Sequence, residues 1–256
     1  MSTTFADVRE AFTTTGRLLF FRPAKPDLQR HMPLYLLIGI GSSWLAGVGR
    51  YWDHPDAAWW QYAGLGSVAY IFILALVLYL LLLPLRPRDW DYGRVLTFVG
   101  LTAAPGILYA IPVERFLPLG AAQSVNFWFL AVVASWRVAL LWRFLRGSAR
   151  LPGAAATIAL LLPICLIVAV LAILNLEKAV FEIMAGLNGK TRTPNDAAYA
   201  VLIALTGISF YASPFLLIGY VVQIFSRQSA EGRREDRAAD ATEATEGEDA
   251  TEEDAP

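Results

Sequence analysis

The chain has 256 residues, of which 56% are hydrophobic and only 17% charged, and its mean hydropathy is +0.48. A water-soluble domain carries about 25% charge, so the composition excludes an ordinary soluble enzyme. The formal net charge of −1 hides a division: residues 229–256 hold eleven acids and three bases, which leaves 18 basic and 11 acidic residues in the body.

A basic body fits loops that face an anionic leaflet. It does not describe a nucleic-acid surface, because no basic stripe is interleaved with exposed aromatics. The single cysteine, Cys165, allows neither an internal disulfide nor a zinc site built from several cysteines, and in an apolar block it reads as a small hydrophobe. No cleavable signal pattern precedes the first apolar block, which is expected to act as an uncleaved anchor.

Residues 4–21 place Phe5, Val8, Phe12 and Leu19 at helical spacing, with Arg9, Glu10 and Arg17 on other faces. The pattern predicts an amphipathic helix within a cytoplasmic segment, 1–31, closed by Pro23 and Pro26. Two placements are open: in the plane of the membrane interface, or packed on the ends of the spans.

Six apolar blocks follow, at 33–49, 64–85, 95–113, 127–145, 154–176 and 197–225. Each is about as long as a bilayer-crossing helix. The expected fold is therefore all-α, a polytopic bundle of six transmembrane helices over residues 32–228. The basic residues set its orientation. Fifteen fall on the side of the N-terminus, the second and fourth loops and the tail, and five fall on the other. That split predicts both termini inside the cell. If the first block did not cross, the split would be even. Tyr51, Trp52, Trp59, Trp60 and Tyr62 at the outer ends, with Trp90, Tyr92 and Trp142 at the inner ends, fit interfacial aromatic belts.

The tail, 229–256, is rich in Ala, Glu, Asp, Thr and Gly and has no apolar cluster, so it is expected to be disordered. It serves either as a solvating tail or as a docking tail for a basic partner.

Arg137 lies inside the fourth span, six residues before Arg143 of the inner loop and so about 9 Å from the inner boundary. Either it snorkels or pairs to fix the helix, with Asp89 and Asp91 as the nearest candidate partners, or it marks an anionic site or charge relay in the bundle. Pro105, Pro163 and Pro214 lie within spans, where each removes a backbone hydrogen bond and can kink or break the helix. Gly39, Ser43 and Gly47 repeat at four-residue spacing, a small-residue face for close helix contact within the chain or with another copy. Gly100 and Ala104 repeat that spacing in the third span.

Enzyme signatures are missing from the sequence. The only histidines, His31 and His54, lie outside the spans, and there is neither a histidine pair at helical spacing nor a phosphate-cradling loop. Asp53, His54 and Asp56 form a short outer turn without a second ligand cluster, so no metal site is expected. Glu177 and Glu182 are five apart and share no helix face. No catalytic residue and no cofactor is expected.

The segments GRLLFFRPAKPDLQRHMPLYLL and SWRVALLWRFLRGSARLPGAAATIALLLP resemble bacterial proteins of the Yip1-domain family, over roughly residues 15–175. In both segments an arginine-rich turn precedes a span, and Trp136 stands before the second of these turns. The resemblance implies a helical membrane domain and, in eukaryotic members, work with small GTPases in vesicle traffic. The chain departs from the family in lacking the Asp-Leu-Tyr-Gly-Pro signature and in having a sixth span where five are usual.

The expected function is that of a non-enzymatic multi-pass protein of the cell membrane, most simply a bacterial inner membrane. It would recruit or organise protein partners at the cytoplasmic face, with membrane lipids around it and oligomers possible. The alternative is a small-solute transporter or channel subunit that uses Arg137 and the proline-bearing spans.

Overall fold

The computed structural model describes residues 5–23, 31–51, 58–174 and 196–252. Among them every regular element is helical. Helix α1 covers Phe5–Leu19, α2 Met32–Tyr51, the short α3 Trp59–Tyr62 and α4 Leu65–Leu82. Then come α5 (Tyr92–Leu101), α6 (Leu119–Gly147), α7 (Gly153–Ile173) and α8 (Asp196–Glu252). Six stretches are long and apolar enough to cross a membrane: Met32–Gly49, Leu65–Leu85, Tyr92–Ala110, Gly120–Gly147, Gly153–Ile173 and Ile203–Ala230. They match the first, second, third and fifth predicted blocks to within three residues; the fourth begins seven residues earlier, and the sixth lies five to six residues further along.

Helix α4 shows why such a chain needs lipid as its solvent. Ile71, Ala75, Leu78 and Leu82 recur at helical spacing and are buried. Its outward side carries Phe72, Ile73, Leu76, Val77 and Leu80, which are just as apolar and exposed. A helix in water would present polar groups there. The core collects Ile71, Leu82, Leu85, Val95, Leu101, Leu140, Leu145 and Leu151, all essentially inaccessible. Phe98 and Phe144 stack across α5 and α6 with ring centroids 4.0 Å apart.

The third span is not one helix. The α-helix stops at Leu101, and the chain continues as a 3-10 helix, Ala104–Ala110, with Pro105 in its first turn. Pro105 has no N–H to donate to Leu101, so the predicted break is seen there. Pro163 and Pro214 do not break their helices: both stand inside continuous ones. A Cβ on Gly219 would lie 3.0 Å from Ile158, which sets the register of the antiparallel α7 and α8. Each proline is five residues from that contact in the same direction, so the two share one level of the bundle. Neighbouring helices and hydroxyls compensate proline's missing donor in membrane helices. Beside Pro214 the buried Ser213 donates its hydroxyl to the Ser209 carbonyl at 2.6 Å, whereas the carbonyl that Pro214 leaves without a helical donor is that of Phe210.

The last helix departs most from expectation. Where the sequence predicts disorder from residue 229, the α8 backbone stays helical to Glu252. Alanine and glutamate are strong helix formers, and a helix already running through the span supplies the nucleus that an isolated acidic segment lacks.

Candidate functional site

Several of the arginines that set the sequence-based orientation meet at one end of the bundle, where they bind backbone carbonyls. A helix leaves its last four carbonyls unpaired, and a cation there also complements the helix dipole. Helix α1 ends in a Schellman turn: the Arg22 N–H donates to the Arg17 carbonyl at 2.8 Å and the Phe21 N–H to Leu18 at 3.1 Å. Phe21 takes the left-handed position with φ 55°, where glycine is usual. The turn is held from α6. The Trp136 indole N–H donates to the Leu19 carbonyl at 2.7 Å, and Arg143 forks onto the carbonyls of Phe21 and Arg22. The Phe20 ring packs against Trp136, centroids 5.7 Å apart.

The same device recurs around this end. Arg227 of α8 donates to the carbonyls of Leu85 and Arg86 at the end of α4, and the Tyr220 hydroxyl donates to Leu81 one turn earlier. Arg146 closes the turn after α6 by donating to the Leu151 carbonyl at 2.8 Å. The Arg88 N–H donates to the Ala149 carbonyl at 3.2 Å and ties the second loop to the fourth. These links place residues 22, 86, 149 and 227 at one end.

Arg137 stands apart from this cluster. Its guanidinium lies over the Tyr70 ring, 5.5 Å from the centroid. Among the described residues no carboxylate is within ion-pair distance of it. The two predicted partners are engaged elsewhere, which corrects that expectation. The Asp89 carboxylate lies 3.7 Å from both Arg88 and Arg94, while Asp91 caps α5 by accepting the Arg94 N–H at 2.9 Å. A carboxylate at a helix N-terminus satisfies an orphan donor and the dipole together, and that holds both aspartates at the end of the bundle.

The small-residue stripe is used inside the chain. Gly39 faces Gly100 of α5, Ser43 donates its hydroxyl to the Ser67 carbonyl of α4 at 3.1 Å, and a Cβ on Gly47 would strike the Ser67 side chain at 2.6 Å. The outer turn with Asp53, His54 and Asp56, and the stretch holding Glu177 and Glu182, lie outside the described residues. Among the described residues no group of histidine, cysteine or carboxylate side chains is arranged to hold a metal.

Sequence reasoning counted Arg143, Arg146 and Arg227 only as charges and missed that they are helix-end clamps. One signal was available: Trp136 and Arg143 are seven residues apart, hence on one face of α6.

The fold and this basic end together define an all-helical, multi-pass membrane protein. No protein family, curated protein or solved structure gives a match to the chain.

Proposed function

We propose that this is a non-enzymatic protein of a bacterial inner membrane, with both termini in the cytoplasm, that recruits or organises protein partners at the cytoplasmic face in the manner of a Yip1-like scaffold. The observation that carries the reading is the junction of two opposite charges at one end of the bundle. The exposed arginines sit there, and from there α8 continues 22 residues past its span, to Glu252, through the acidic segment. At 1.5 Å per residue that continuation is about 33 Å long, enough to present a charged helix to a soluble protein. The transport reading draws less support, because Arg137 rests on an aromatic ring and two of the three prolines leave their helices continuous.

Deleting residues 229–256 tests the proposal. The shortened protein should insert and purify like the full chain but lose the proteins that co-purify with it from gently solubilised membranes. An unchanged set of associated proteins overturns the recruiting role. Reporter fusions at the two termini test the orientation and should both report the cytoplasm.

A further inference from the structure

We propose that α1 is a lipid-binding helix: its Phe5–Phe12 flank inserts among the acyl chains beside the bundle while Arg9 and Arg17 bind anionic headgroups. The inference rests on the membrane-spanning fold and on the basic end facing an anionic leaflet, and it does not depend on partner recruitment.

Three sides of α1 have different surroundings. Its inner side is fixed to the protein, with Ala11 and Thr15 buried and Leu18 and Leu19 packed on the core. Next to that side, Phe5 is 86% and Phe12 60% exposed. Seven residues separate them, two turns, so they stand in one row. Arg9 lies between them on the adjoining side, one turn from each, with Arg17 further round, and both are exposed. Phe20, 66% exposed, lies just past the end of the helix.

What covers this row follows from where it is held. Trp136 and Arg143 grip the end of α1, and both belong to the last part of the Gly120–Gly147 span. That contact holds the C-terminal end of α1 against a membrane span, and the exposed phenylalanines lie two and four turns back along the same helix. An interfacial helix beside a span meets acyl chains on one side and phosphates on the other. The charges agree with an anionic surface: Arg9, Arg17 and Arg22 are exposed here beside Arg88 and Arg150, against Glu10, Asp89 and Asp91. Arginine is suited to phosphate because its planar fork donates in pairs.

The test uses the full chain in lipid nanodiscs, in a C165A background, with nitroxide labels on F5C, F12C, E10C and, as span controls, L76C and I218C. Oxygen and nickel-chelate collision rates report lipid and water exposure. In discs of mixed phosphatidylcholine and phosphatidylglycerol, labels at positions 5 and 12 should match those on the spans, and the label at position 10 should be in water. The oxygen-to-nickel ratio at positions 5 and 12 should fall several-fold in pure phosphatidylcholine, and equally in R9Q/R17Q. Water exposure at positions 5 and 12 in the mixed discs overturns the proposal and leaves the row open to a soluble protein. A ratio indifferent to lipid charge and to the two arginines overturns it as well. If the labels at positions 76 and 218 report water, the membrane fold itself is wrong, which separates the two failures.

Discussion

Gly39 on α2 and Gly100 on α5 meet backbone to backbone. A Cβ added to Gly39 would lie 2.5 Å from the Gly100 carbonyl carbon and 2.9 Å from the Leu101 nitrogen, both main-chain atoms that cannot rotate away. G39A should therefore separate the two helices and cost about 1–3 kcal/mol, the usual penalty for overpacking. Gly41, two residues on, would meet no atom within 4 Å. G41A should be neutral or slightly stabilising, since alanine is the better helix former. Thermal unfolding in mild detergent compares the two, and equal midpoints would remove the close contact from the account of the fold.

The α1 clamp makes a separate demand. W136F removes the hydrogen bond to the Leu19 carbonyl while keeping an aromatic ring beside Phe20. R143Q removes the charged fork on Phe21 and Arg22. Charged hydrogen bonds contribute about 1.5–3 kcal/mol and neutral ones about 1 kcal/mol, so R143Q should release α1 more than W136F. Hydrogen exchange over residues 5–22 should quicken in that order, with the remaining helices unchanged. R143K should behave like R143Q, because a lysine has no planar fork to reach two carbonyls. Exchange that is uniform across wild type and variants refutes the clamp.

The positions of the spans could be read directly from the sequence because hydrocarbon solvent imposes one rule on every crossing residue: apolar length. The arginine count pointed to an even number of crossings, and Arg143, Arg146 and Arg227 do meet at one end. Two kinds of feature were not legible. The partners of Arg143 and Arg227 are main-chain carbonyls more than a hundred residues away, and no side-chain pattern marks a carbonyl. Sequence reasoning therefore looked for carboxylates and assigned Asp89 and Asp91 to Arg137, when both serve the start of α5 instead. Nor does a proline in the sequence say whether the helix ends there. Pro163 and Pro214 lie at one level within packed helices that stay continuous, whereas Pro105, four residues past Leu101, lies in the first turn of the 3-10 segment that follows the break.

Arg137 and Tyr70 form the only cation–ring pair seen among the described residues of the spans. A cation over a ring contributes about 2 kcal/mol when desolvated, and an arginine at a span centre costs about 2.5–3.5 kcal/mol to insert. The two effects nearly offset, so R137L should fold and insert at least as well as wild type. Y70A alone should be clearly destabilising, because it leaves the guanidinium without its one stabilising contact. A double-mutant cycle between Y70A and R137L should give a coupling of about 1–2 kcal/mol. A coupling near zero would mean that the ring is incidental and would return Arg137 to the search for an anionic ligand.

Thr206 offers the simplest stabilising change. Its Oγ1 is buried and has no hydrogen-bond partner. A hydroxyl in an α-helix can donate to the carbonyl four residues earlier, as Ser213 does to Ser209 and Thr97 to Gly93, but Thr206 does not. A buried polar group without a partner costs about 1–3 kcal/mol, and valine keeps the branched shape while removing the oxygen. T206V should raise the unfolding midpoint by a few degrees, with a gain of about 1 kcal/mol. S213A, which deletes a bonded hydroxyl in the same helix, should not raise it. If T206V lowers the midpoint instead, the hydroxyl has a partner in the membrane, and the turn of α8 around Thr206 becomes a polar contact point.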